Sequence, residues 1–170
     1  MQKIKTRRNT NRIPQYDYST PGQYFLTICI EDRQQILGAV ENDKMILNDT
    51  GKIADFSWRE IINHFTGIEL DQHIIMPNHI HGIINIIVGA RSPRPNNDNN
   101  DTIIGRGNRA PTIGNIIAYF KYQTTKQINE FQNVPGRKIW QRNYYDHIIR
   151  NDKSLTRIRE YIINNPATWN

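Results

Sequence analysis

Apolar residues along this chain change period several times, and each change marks an element. "GQYFLTICIEDR" (22–33) is rich in aromatic and β-branched residues and predicts a strand. "AVENDKMILND" (39–49) predicts a small hairpin turning at Asn42-Asp43, residues that tolerate tight turns. "KIADFSWREIINHF" (52–65), introduced by Thr50 and Gly51, shifts to helical spacing, with Ile53, Phe56, Ile61, Ile62 and Phe65 as its apolar positions. "IELDQHIIM" (68–76) and "HIHGIINIIV" (79–88) are two apolar strands separated by the turn signal Pro77-Asn78. "TIGNIIAYFKYQTTKQINEF" (112–131) is a helix with Thr112 as cap and a buried stripe of Ile113, Ile116, Ile117, Phe120, Ile128 and Phe131. "RKIWQRNYYDHIIR" (137–150) reads as extended, and "DKSLTRIREYIINNP" (152–166) as a closing helix stopped by Pro166.

The order strand, helix, two strands, helix, strand, helix suits an α+β fold. The expectation is a ferredoxin-like sandwich, an antiparallel sheet with helices on one face and the other face open to a ligand. Residues 1–15 carry Lys3, Lys5, Arg7, Arg8 and Arg12 with little to bury, as a basic arm would. Residues 89–111, rich in Asn, Asp, Gly and Pro, read as a long flexible loop rather than a boundary, since neither flank could fold alone. The 170 residues therefore form one domain, with no internal repeat.

Composition narrows the function. Lys and Arg outnumber Asp and Glu by 22 to 16, a net charge of +6 that leans toward a polyanionic partner. No apolar run approaches the ~20 residues that span a bilayer. The amino terminus has charges without an apolar core, unlike a signal peptide. One cysteine, Cys29, excludes an internal disulfide framework and reads as a small strand residue. A cytoplasmic protein fits these features best.

The candidate chemistry begins in "MPNHIHGII" (76–84). Strand alternation points His79 and His81 to one face and Ile80 to the other. Such a pair either lies on a wet strand face or holds a cation or phosphate, imidazole being the commonest metal ligand. On the closing helix Tyr161 and Asn165 are four apart, hence on one helical face. Two imidazoles, an amide oxygen and open positions suit Mn²⁺ or Mg²⁺. The plainer alternatives are a half-buried helix tyrosine and an asparagine that ends the helix before Pro166.

The blocks "IPQYDYSTPGQYFLTICIEDR", "IIMPNHIHGIINI", "IGNIIAYFKYQTTKQIN", "IWQRNYYDHIIRND" and "IREYIINNP" resemble, in order and over nearly the whole chain, successive motifs of the REP-associated tyrosine transposases. These belong to the single-tyrosine HUH (His-hydrophobic-His) transposases. The resemblance implies His79, His81 and Asn165 as metal ligands and Tyr161 as the nucleophile. An Asn rather than a Gln at 165 points to the REP-associated branch. The implied activity is metal-dependent cleavage and strand transfer on single-stranded DNA carrying a REP-like hairpin, through a 5′-phosphotyrosine link, with Mg²⁺ or Mn²⁺ as cofactor. A monomer or homodimer associated with the nucleoid is expected. The competing class is a non-catalytic single-stranded DNA- or RNA-binding module on the same fold. Candidate DNA contacts are Arg7, Arg8, Arg12, Lys121, Lys126, Trp140, Gln141, Arg142, Tyr144 and His147. Of these, Trp140 either stacks on a base or packs in the core. Tyr144 and Tyr145 are rival nucleophiles, but they alternate along a strand and lack a partner at helical spacing.

Overall fold

A computed structural model describes residues 20–87 and 111–169. The basic arm 1–15 and all of the loop 89–111 except Pro111 lie outside the described residues, and with them Arg7, Arg8 and Arg12. Among the described residues six strands and four α-helices follow in the order β1 (Gly22–Cys29), β2 (Gly38–Glu41), β3 (Lys44–Leu47), α1 (Asp49–Arg59), α2 (Ile61–His64), β4 (Ile68–Met76), β5 (His79–Ile86), α3 (Ile113–Gln132), β6 (Tyr145–Ile149) and α4 (Asp152–Asn164). The main sheet is antiparallel, in the order β4-β5-β1-β6. With α1 and α3 as crossovers this is the βαββαβ pattern of a ferredoxin-like sandwich. The β2–β3 hairpin is inserted in the first crossover and turns, as expected, at Asn42 and Asp43, both at positive φ (49° and 58°).

The long helices start where side chains cap orphan backbone donors. Asn48 Oδ1 accepts from Gly51 N at 2.9 Å, Thr112 Oγ1 from Asn115 N at 3.2 Å, and Asn151 Oδ1 from Ser154 N at 2.9 Å. One sheet face carries Tyr24, Leu26 and Ile28 of β1 and Ile80 and Ile84 of β5. These pack with Trp58, Ile116, Ile117 and Phe120 from α1 and α3 into the main core. The apolar positions expected over residues 52–65 are buried in part: Ile61 is core, and Ile53 and Phe65 pack against it. Phe56 and Ile62 are exposed, while Ala54 and Trp58 join Ile61 in the core; Phe131 at the end of α3, expected in its buried stripe, is exposed as well. In α1 the helix phase follows Trp58, the bulkiest side chain that the sheet buries; in α3 the phase is as expected and Phe131 lies in the last turn.

The closing helix takes the opposite face from α1 and α3. Its Leu155, Ile158 and Ile162 form an i, i+3, i+7 stripe that needs cover, and they find it on Phe25, Ile74 and Ile83. That face is therefore only partly open. A register shift in β4 between Leu70 and His73 tightens the arrangement. It turns Asp71 toward α4, where Arg159 grips the carboxylate bidentately (Nη2–Oδ2 2.6 Å, Nε–Oδ1 3.0 Å). His73 faces the other way, stacked on Trp58 and 2.8 Å from Asp55. No helix among the described residues is long and apolar enough to cross a membrane.

Candidate active site

Strand register brings Thr27 opposite His81 and Cys29 opposite His79. The two imidazoles converge, Nε2 to Nε2, at 3.0 Å. Their other nitrogens are each held by an oxygen: Asn78 Oδ1 lies 2.7 Å from His79 Nδ1, and Thr27 Oγ1 lies 2.9 Å from His81 Nδ1. The Asn78 amide has its direction set on its far side, where Nδ2 donates to the Arg33 carbonyl at 3.3 Å. Asn78 therefore accepts from His79, whose proton sits on Nδ1 and whose Nε2 lone pair faces the gap. Asn78 was read from sequence only as a turn residue, and Thr27 and the Leu26 backbone were not singled out. The cross-strand pairing that selects Thr27 is the only signal that could have done so.

Burial keeps both rings neutral. It pushes His79 down to about 4, helped by the charge of Arg33. It pushes His81 down to about 3, helped by His79 and partly opposed by a backbone hydrogen bond to Leu26. Neutral imidazole is the form that binds metal.

Helix α4 delivers Tyr161 to the same spot. Its hydroxyl lies 3.3 Å from His81 Nε2, while the residue remains 49% exposed. Phe25 stacks on His81 (5.2 Å between centroids) and meets Tyr161 edge-on (6.1 Å), fixing both rings from below. Asn165 follows one turn later on the same helical face. It is only 7% exposed, and its side-chain amide forms no hydrogen bond among the described residues. Two neutral imidazole nitrogens and an exposed hydroxyl beside them, with the Asn165 amide one helical turn on, are donors of the kind that a small divalent cation with open positions takes. Among the described residues no group of three or more His, Cys, Asp and Glu is placed to hold a metal ion, so an ion here would rest on the two imidazoles and on neutral oxygens. Trp169, which drew no attention in the sequence, closes the site from the far side, its ring 5.8 Å from that of His79.

The candidate DNA contacts divide. Lys121, Lys126, Trp140, Gln141 and Arg142 line one groove of about 370 Å³ between α3 and residues 138–142. Trp140 is core, as its alternative reading had it: it is buried, with its indole N–H donated to Thr124 Oγ1 at 2.7 Å, so no ring face is free for a base. Lys121 is half committed. Its ammonium donates to the carbonyls of Gln141 (2.8 Å) and Asn143 (3.0 Å) and sits over the Tyr144 ring, and burial lowers its pKa to about 8. Lys126 and Arg142 stand exposed. Tyr144 packs against the main core and Tyr145 points out, on opposite faces as strand alternation requires. His147 is exposed on the sheet face that carries His79 and His81.

No protein-family model matches the chain. A protein of Haemophilus influenzae without assigned function is 38% identical over 164 residues, covering 95% of this chain and 89% of that one. A second protein of the same organism, provisionally named a REP-associated tyrosine transposase, is 29% identical over 159 residues, covering 89% and 73%. Among solved structures, a REP-associated tyrosine transposase bound to a REP hairpin superposes with a TM-score of 0.60 at 18% identity, over 92% of this chain and 73% of that one.

Proposed function

The chain belongs to the family of the REP-associated tyrosine transposases, and from that premise we propose that it is a metal-dependent endonuclease and strand transferase acting on hairpin-bearing single-stranded DNA. The observation that carries the proposal is the meeting of the Tyr161 hydroxyl with the facing His79 and His81 nitrogens. His79, His81 and Asn165 would hold Mg²⁺ or Mn²⁺, which when bound neutralises charge on the phosphate's non-bridging oxygens. A tyrosine hydroxyl, with an ordinary pKa of ~10, is a weak nucleophile and needs an electrophile so prepared. The Tyr161 oxygen attacks phosphorus and releases its proton to solvent. The P–O3′ bond breaks, and the departing 3′ oxygen takes up a proton. The downstream strand stays esterified to Tyr161 through its 5′ phosphate, so the bond energy is kept for rejoining to another 3′ hydroxyl.

The solved relative's REP hairpin supports a hairpin as the DNA partner. Lys126, Gln141 and Arg142 in the groove, His147 on the site's own face, and Arg7, Arg8 and Arg12 of the arm are the proposed contacts, in a single domain that works in the cytoplasm. The test is incubation of hairpin DNA with the protein and Mn²⁺, followed by denaturing gels. A 5′-labelled strand should shorten to a free fragment, and a 3′-labelled strand should shift into a protein-linked band. Shortening of the first without the linked band overturns the covalent mechanism.

A further inference from the structure

Resting on that reading, we propose that Arg33 holds the phosphodiester that is cut, its guanidinium pairing with the non-bridging oxygens beside the His79–His81 pair. Arg33 is the last residue of the "GQYFLTICIEDR" block and was given no role there; it lies in a turn that follows β1 at the end of the sheet where Cys29 pairs with His79. The turn is pinned to the histidines by one side chain. Asn78 donates from Nδ2 to the Arg33 carbonyl (3.3 Å), accepts from His79 Nδ1 (2.7 Å), and gives its own carbonyl to Ile30 N (2.8 Å). Arg33 N returns to Ile30 O at 3.0 Å, closing the turn. The backbone of Arg33 and the ring of His79 are thus positioned by the same amide.

The turn's conformation is costly. Asp32 and Arg33 both have φ near 52°, the left-handed region that favours glycine. The Asn42-Asp43 pair shares that conformation, but there a two-residue hairpin demands it. At position 33 a glycine would satisfy the backbone better, yet the chain carries a long cation there. Strain of this kind gathers at sites where a side chain must be aimed.

The surroundings indicate what that cation is for. Arg33 is exposed, and among the described residues its guanidinium forms no ion pair or hydrogen bond. The neighbouring Glu31 is taken by Lys138. The Arg33 backbone is separated from the His79 ring by the Asn78 amide alone, so the cation is carried at the same end of the sheet as the histidine pair. An unpaired cation beside two rings arranged to hold another cation is repulsive by itself. A phosphate lying between them removes the repulsion and turns both interactions favourable. The planar guanidinium matches two phosphate oxygens in a way that an ammonium cannot.

The test uses the full chain and a hairpin oligonucleotide whose cleavage position has first been mapped with the wild-type protein and Mn²⁺. Binding is then measured in EDTA for two DNAs, one unmodified and one carrying a neutral methylphosphonate at the mapped position. The wild type should bind the modified DNA roughly tenfold more weakly, the size expected for hydrogen bonds to a charged group. Arg33→Gly, which suits the positive φ and should melt no lower than wild type, should bind both DNAs alike. Arg33→Lys should fall between. Equal discrimination by wild type and Arg33→Gly, with cleavage intact in the wild type, overturns the role of Arg33 alone. No cleavage of any hairpin by the wild type overturns the transposase reading and this assignment with it.

Discussion

The Tyr161 hydroxyl stands 3.3 Å from His81 Nε2, and that nitrogen stands 3.0 Å from His79 Nε2, so three groups from two elements share one point. Helix α4 is held there by the Arg159–Asp71 pair, two residues before the tyrosine. Tyr161→Phe should therefore abolish the protein-linked DNA band while hairpin binding and melting temperature stay close to wild type. The ring packing on Phe25 is kept, and the hydrogen bond lost is long and partly exposed. A linked band persisting in Tyr161→Phe would move the nucleophile elsewhere, with exposed Tyr145 the first to test.

Adjacent residues on β5 should fail in different ways. His79→Ala or His81→Ala should remove Mn²⁺ binding measured by calorimetry. Ile80 is fully buried on the other face, and Ile80→Ala should lower stability by about 2–5 kcal/mol while the folded fraction still binds Mn²⁺. Full stability with weakened metal binding in Ile80→Ala would mean that the strand faces the wrong way.

The depressed histidines set a pH window. Folded-state values of about 4 for His79 and about 3 for His81 lie below the ordinary 6.5, so the unfolded chain binds protons first as pH falls. Their contribution to stability is complete above pH 6.5 and is lost progressively as pH drops toward 4 and then 3. Melting temperature should fall with acid over that range, and less steeply in His81→Gln, which cannot take up a proton. Above pH 5 both rings remain neutral, so Mn²⁺ affinity should change little between pH 5.5 and pH 7.5. A tenfold loss of affinity over that interval would contradict the burial of the pair.

Much of this architecture is readable from local pattern, and the exceptions share a cause. Period-two alternation separates His79 and His81 from Ile80, and helical spacing pairs Tyr161 with Asn165, because both relations lie within one element. The Asn42-Asp43 turn is equally local. The exposure of Phe56 and Ile62 is not local information, because the phase of α1 depends on which side chain the sheet can accept, and Trp58 outweighs its neighbours; Phe131, expected to be buried, is exposed in the last turn of α3. The placement of α4 across from α1 and α3 also depends on tertiary choice, since its apolar stripe would fit either face. Thr27, Trp169 and Arg33 reach the site only through strand register and chain crossing, which no short motif encodes, whereas Asn78 sits beside His79 in the turn and its role shows only once its bond to the ring is seen.

The last prediction concerns the other side of β5 directly behind His81. A Cβ on Gly82 would come within 2.2 Å of Trp58 Cζ2 and 2.8 Å of its Cη2, both on a fully buried ring. That indole cannot retreat, because His73 stacks on it at 5.9 Å and Phe120 meets it edge-on at 5.5 Å. Gly82→Ala must then push β5 away from α1, at a cost of about 1–3 kcal/mol or more for overpacking. The displaced strand carries His81 with it, so Mn²⁺ affinity should fall along with melting temperature. Trp58→Phe removes the part of the ring that clashes, together with a buried indole N–H that has no hydrogen-bond partner. In combination with Gly82→Ala it should recover stability and metal binding together, giving a double-mutant cycle with strong favourable coupling. Additive losses in the pair would show that Gly82 is needed for backbone freedom rather than for the room it leaves Trp58.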